Sequence, residues 1–177
     1  MILAKNIEIK ARITDYQKTK KFFHQLTQVE PVTLNQRDTF YHFCFGRLKL
    51  RQINNKTSEL IFYQRPDLSS SKLSNYKIWN INKPKQLDRV LGVVLGRVGI
   101  VEKTRLLFLK DNVRFHLDHV KNLGDFIELE YMILDNEPLK QAQEKVETIL
   151  EKLNISDTDY ISVAYIDLLK KEDSYDS

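Results

Sequence analysis

The stretch Asn6-Ile7-Glu8-Ile9-Lys10-Ala11-Arg12 alternates without a break. Ile7, Ile9 and Ala11 fall on one side, and Asn6, Glu8, Lys10 and Arg12 on the other. A period of two belongs to a β-strand with one apolar face. The other face carries acid and base at the same spacing, and later stretches repeat the pattern. Leu48 and Leu50 oppose Lys49 and Arg51. Val113, Phe115 and Leu117 oppose Arg114, His116 and Asp118, and Ile127, Leu129 and Tyr131 oppose Glu128 and Glu130. Lys103 and Arg105 share a face of one long strand, where Val101 joins them.

Between these stretches the chain alternates turns with three helices. Thr14 or Asp15 caps a helix to about Gln28, with Tyr16, Phe22, Phe23 and Leu26 facing inward. After Pro31, the aromatic and β-branched run Arg37 to Cys44 reads as a strand, with Cys44 as a buried small hydrophobe. Asn54-Asn55-Lys56 turns Arg47–Arg51 into a returning strand, Ser58 to Arg65, and Tyr76 to Ile81 follows a serine-rich loop. Pro84 opens a second helix, to Leu95, and Pro138 a third, to about Leu153. Val98–Leu109, Val113–Val120 and Phe126–Leu134 are strands joined by tight turns. About eight mostly antiparallel strands linked by hairpins predict an α+β fold: an antiparallel sheet curled into a barrel, with helices outside. No linker divides the chain, so residues 1–177 form one domain.

Composition excludes several classes of function. The chain has 177 residues, 42% hydrophobic and 29% charged, with 5 Gly and 4 Pro, as in an ordinary globular domain. A formal net charge of +4 suits an anionic ligand but is too weak to imply nucleic acid. The single cysteine, Cys44, permits neither an internal disulfide nor a Cys-rich zinc site, and points to a reducing compartment. No apolar run resembles a signal peptide or a membrane span, so the expectation is a cytoplasmic protein without a membrane partner. There is no Gly-x-x-x-x-Gly-Lys loop to support a P-loop mechanism.

Antiparallel sheets commonly keep one face wet, and periodicity alone is compatible with that. A wet face, however, tolerates Ser, Thr and Gln freely, whereas these faces are dense in Arg, Lys, Glu and Asp. In a closed sheet the charges would line a polar interior. Lys10, Arg12, Lys49, Arg51, Lys103, Arg105 and Arg114 then supply cations, the arginines offering forks matched to phosphate oxygens. Glu8, Asp118, Glu128 and Glu130 supply hard oxygen ligands suited to Mg2+ or Mn2+. Bases together with clustered carboxylates point to a metal-bound polyphosphate, because the cation reconciles acids with an anion.

These residues resemble the CYTH superfamily, which contains class IV adenylyl cyclases, thiamine triphosphatases and inorganic triphosphatases. Its Glu-x-Glu-x-Lys strand corresponds to Asn6-Ile7-Glu8-Ile9-Lys10. Leu48–Arg51, Val101–Arg105, His116–Val120, Leu123–Glu130 and Ala164–Leu169 match in order across essentially the whole chain. The first motif alone is weak; the ordered set is specific.

The resemblance implies an eight-stranded tunnel that binds a triphosphate with a divalent metal. Lys10, Lys49, Arg51, Arg65, Lys103, Arg105 and Arg114 would contact the substrate. Glu8, Asp118, Glu128 and Glu130 would hold metal, and Asp118, Glu130 and Lys103 would carry the chemistry. The expected substrate is a small triphosphate (tripolyphosphate, thiamine triphosphate or ATP), the expected reaction its hydrolysis, and the expected assembly a monomer or homodimer. Cyclisation of ATP to cyclic AMP is the alternative enzyme reading, and a non-catalytic sensor the alternative outside enzymes. The chain departs from the family at two places. Asn6 replaces the first signature glutamate, and Gln64-Arg65 stands where the family often has lysine, so Arg65 is the substitute there. Met1–Lys5 also lacks the His-Phe pair found in class IV cyclases.

Overall fold

Residues 6–64 and 75–173 are described by the structure, a computed structural model. In chain order the elements are β1 (Asn6–Arg12), α1 (Tyr16–Thr27), β2 (Val32–Tyr41), β3 (Arg47–Ile53), β4 (Thr57–Gln64) and β5 (Asn75–Asn80). There follow α2 (Pro84–Val94), β6 (Arg97–Lys110), β7 (Val113–Val120), β8 (Gly124–Met132), α3 (Leu139–Lys152) and α4 (Tyr165–Asp173). The eight strands form one antiparallel sheet in the order β1-β8-β7-β6-β2-β3-β4-β5. Among the described residues β1 and β5 remain edges, so hydrogen bonds do not close the expected barrel. The sheet nevertheless curls on itself, because side chains from all eight strands line one cavity.

The turns have the chemistry their geometry needs. Asn54 and Asn55 both adopt positive φ, 50° and 55°, in the three-residue turn Asn54-Asn55-Lys56 between paired Ile53 and Thr57. Asp111 does so at 52° between β6 and β7. Asp15 caps α1 by accepting from the Lys18 N–H at 2.8 Å. The strand expected from Arg37 to Cys44 is β2, which starts at Val32 and stops at Tyr41. Its polar Asn35-Gln36 segment joins the sheet because long β6 offers it a ladder, Asn35 opposite Thr104 and Gln36 opposite Lys103. Cys44 lies in the turn after β2 and is exposed, which corrects its expected burial.

The apolar faces point outward and are covered by helices. Phe23 of α1 meets Phe108 and Phe115 with ring centroids 5.7 and 5.2 Å apart. Ala142, Val146 and Leu150 of α3 join Leu117, Ile127 and Leu129 in the same core. Leu87, Leu91 and Leu95, on and just after α2, cover Leu48, Leu50 and Leu60. A fourth helix, α4, lies beyond the three read from the sequence. It seals one end: Tyr165 and Ile166 pack with Phe40, Val101, Val120 and Phe126. Gly99 admits it, since a Cβ there would come within 2.8 Å of Ile166 Cδ1. The preceding segment pairs with the free edge of β1, where the Ile161 N–H donates to Lys10 O at 2.8 Å. Arg47 of β3 then ties down α4 by donating to Asp167 at 2.6 Å.

Candidate functional site

The curled sheet encloses a cavity of about 430 Å3. Strand alternation delivers its walls. β1 contributes Glu8 and Lys10, β3 Lys49 and Arg51, β6 Lys103 and Arg105, β7 Arg114 and His116, and β8 Glu128 and Glu130. The expected phosphate and metal residues therefore face this one space, except Arg65, Asp118 and Arg12. Arg65 lies outside the described residues, as does the serine-rich loop after it. Asp118 is fully buried behind the wall and is not among the lining residues. Arg12, which shares the β1 face, turns away instead: it donates to Leu123 O at 2.7 Å and stacks over Phe126.

Ladder register sets the side chains in rungs. Glu8 lies opposite Glu130, which lies opposite Arg114; Lys10 lies opposite Glu128, which lies opposite His116. Acids thus gather where β1, β7 and β8 meet. His116, Glu128 and Glu130 offer ligand atoms all within 4.8 Å of one another. His116 Nδ1 is 3.1 Å from Glu128 Oε1, and Arg114 donates to Glu130 at 3.3 Å. Burial and the charges of Glu128 and Glu8 raise the Glu130 carboxyl to about 7. Glu128 is held well below the usual range despite its burial, chiefly by Arg105. Burial and Arg105 also lower the His116 ring, favouring the neutral imidazole.

The same cavity is lined by two matching basic grips, one of which reaches the acids: Arg105 lies 3.3 Å from Glu128. On β3, Lys49 and Arg51 flank Asp38 of β2: the ammonium donates at 2.7 Å and the guanidinium at 2.8 and 2.7 Å. On β6, Lys103 and Arg105 flank Asp118 of β7: the ammonium donates at 2.9 Å and the guanidinium at 2.6 and 2.7 Å. The Tyr165 hydroxyl adds a third donor to Asp118 at 3.0 Å. Burial alone would raise both aspartates. Lys49 and Arg51 instead hold Asp38 far below its ordinary range, and Arg105 with Lys103 does the same to Asp118. Burial, then the neighbouring arginine, lowers Lys49 to about 7 and Lys103 to about 8. The cavity holds more positive charge than its own carboxylates neutralise, which is the condition of an anion site.

Sequence reasoning missed part of this. Asp38 sat unremarked in an aromatic strand, and its signal was the Lys-x-Arg of the adjacent hairpin, which needs a buried counter-charge. Tyr165 packs against Phe126 and also donates to Asp118. The ring lies under two ammonium groups, Lys10 at 4.5 Å and Lys103 at 5.1 Å. Asp118, expected as a metal ligand, is turned to the basic grip, and His116 stands beside the glutamates in its place.

Comparison with known proteins agrees with this architecture. The family model described as CYTH domain matches residues 4–165. The Methanocaldococcus jannaschii protein named "Putative adenylate cyclase MJ0240" is 29% identical over 175 residues, spanning 92% of this chain and 97% of that protein. Among solved structures, the PH1012 protein of Pyrococcus horikoshii superposes with a TM-score of 0.77 at 21% identity, over 92% of this chain and 98% of its own. HpAC1 from Hippeastrum, described as having a dominant triphosphatase activity, superposes with a TM-score of 0.67 at 14% identity, over 94% and 96% of the two chains. The two structural likenesses establish the fold. With the family match spanning nearly the whole chain and the charged cavity in place, this chain belongs to the CYTH domain family.

Proposed function

We propose that this protein binds a triphosphate together with Mg2+ or Mn2+ in the curled-sheet cavity and hydrolyses the terminal phosphoryl. One observation carries the reading. Two Lys-x-Arg grips line one cavity with Glu8, Glu128, Glu130 and His116. Lys10, Lys49, Arg51, Lys103, Arg105 and Arg114 bind phosphate oxygens, and the arginine forks fix their orientation. Asp38 and Asp118 hold the grips in place before the ligand arrives, so little reorganisation is needed at the moment of reaction.

The acidic cluster fits a divalent cation on the same geometry. Glu130 is crowded by two like charges, and a cation relieves that repulsion. Glu8, Glu128 and Glu130 would hold the ion, while His116 orients Glu128 through Nδ1. When bound, the ion supplies charge neutralisation of the triphosphate and Lewis-acid polarisation of a phosphoryl oxygen. With a cation beside it, the crowding that raises the Glu130 carboxyl is relieved, and the ionised carboxylate orients an attacking water as a hydrogen-bond acceptor. Lys103 and Arg105, steered by Asp118 and Tyr165, stabilise charge on the transferred phosphoryl. Asn6 lies opposite Met132 at the end of the acidic row, so the missing signature glutamate leaves the Glu8, Glu128 and Glu130 cluster intact.

The name of the M. jannaschii relative favours one second reading, cyclisation of ATP. There the ribose 3′-oxygen attacks the α-phosphorus and pyrophosphate leaves. The dominant activity ascribed to HpAC1 weighs toward hydrolysis. Incubation with tripolyphosphate, thiamine triphosphate and ATP, each with Mg2+ or Mn2+, separates the readings. Orthophosphate release supports the hydrolase, and cyclic AMP with pyrophosphate supports the cyclase. Tight binding without turnover of any of the three would overturn both.

A further inference from the structure

Gln36 sits in the wall of the cavity between the two basic grips. It lies on β2, opposite Lys103 in one direction and Ile53 in the other, two residues from Asp38 on the same face. The side chain is only 6% exposed, it lines the cavity, and its Oε1 is buried with no hydrogen-bond partner among the described residues. Carboxylates are acceptors and cannot satisfy that oxygen, and they are closed to the amide NH2 as well: Asp38 already accepts from Lys49 and Arg51, and Asp118 from Lys103, Arg105 and Tyr165. A buried amide without its partners is costly and is rarely left so unless a ligand completes it.

The oxygen and nitrogen of a carboxamide are nearly isosteric, so a half-turn of the terminal torsion exchanges them without new packing. Phosphoryl oxygens are acceptors only. We infer that Gln36 is a phosphate-contacting residue, whose amide presents its NH2 to an oxygen of the triphosphate between the two grips. This rests on the triphosphate reading and adds a neutral donor to a set otherwise made of cations. The chemistry explains why neutrality is useful there. Lys49 and Lys103 are already depressed by burial and then by neighbouring arginines, and one more cation would depress them further. An amide contributes a hydrogen bond to phosphate without that repulsion.

Calorimetric titration of tripolyphosphate into wild type, Gln36→Leu and Gln36→Glu tests the inference. Removing the donor raises Kd about tenfold in Gln36→Leu, and Gln36→Glu, of the same size but anionic, weakens binding further. The melting temperature of ligand-free Gln36→Leu is equal to or above wild type, since the lost group had no protein partner; a merely structural glutamine would lower it. If Gln36→Leu does not fold, Gln36→Asn, which withdraws the amide by one methylene, shows the same loss of affinity. Wild type that fails to bind tripolyphosphate overturns the triphosphate reading itself. Wild type that binds while Gln36→Leu binds equally well overturns the role of Gln36 alone, and so does an unchanged Kd with a reduced kcat.

Discussion

Asp38 and Asp118 occupy equivalent positions on neighbouring strand pairs, each clasped by a lysine and an arginine two residues apart on the adjacent strand. Both carboxylates fix the direction of the cavity cations that donate to them. A buried carboxylate shared by two cations is strongly coupled to them, and removing it leaves two charges without compensation.

Asp38→Asn therefore destabilises the empty protein by about 3–5 kcal/mol, measured by urea unfolding. Tripolyphosphate partly restores the missing negative charge. Its stabilising effect on melting temperature is larger in Asp38→Asn than in wild type, and an equal effect would place Asp38 outside the anion site.

Glu130 has a pH signature. Its carboxyl is raised from the ordinary 4.5 to about 7 by burial and by Glu128 and Glu8. The folded state thus holds an extra proton between those values, and stability falls as pH rises through that window. Glu130→Gln keeps the neutral shape, folds normally, and loses that component of the pH dependence. Metal-dependent turnover disappears in the same variant. Unchanged turnover would remove Glu130 from the site.

The lysines titrate with the opposite sign. Lys49 is lowered from 10.5 to about 7 and Lys103 from 10.5 to about 8, in each case by burial and then by the neighbouring arginine. Their stabilising component is present above the unfolded value and is lost as pH falls through the folded one. An incoming anion raises both, so tripolyphosphate binding at pH 8 takes up protons. Calorimetry in buffers of different ionisation enthalpy measures this uptake, which shrinks in Lys49→Arg because the guanidinium stays charged throughout.

Tyr165→Phe removes the 3.0 Å hydrogen bond to Asp118 but keeps the ring beneath Lys10 and Lys103. Stability drops by about 1 kcal/mol. Tyr165→Ala also opens the sealed end next to Phe126 and costs about 3–5 kcal/mol. Thermal or chemical unfolding of the two variants distinguishes the hydroxyl from the ring.

The two-residue alternation in β1, β3, β7 and β8 was enough to place Lys10, Lys49, Arg51, Glu128 and Glu130 on one face. Ordered motifs then carried that face to a cavity. What sequence could not supply was partnership. Asp118 and the two glutamates of β8 look alike as carboxylates on alternating strands. Register puts Asp118 beside Arg105 and Glu130 beside Glu8, and so separates a carboxylate braced by cations from carboxylates crowded together. Asn35-Gln36 looked like loop because its β-forming tendency is low, and only the ladder offered by β6 makes it strand. The sealing of one end by α4 depends on Gly99 meeting Ile166 across a long separation in sequence, which no local pattern records. Of the remaining helices, none among the described residues is long and apolar enough to cross a membrane.

The central claim is that the two basic grips and the acidic cluster hold one triphosphate and its metal. Calorimetric binding of tripolyphosphate, with and without Mg2+ or Mn2+, to wild type, Arg51→Ala and Glu130→Gln tests it most directly. The account predicts binding strengthened by the metal in wild type, at least tenfold weaker binding in Arg51→Ala, and loss of the metal's contribution in Glu130→Gln. Equal affinity in all three proteins, with no response to metal, would contradict it.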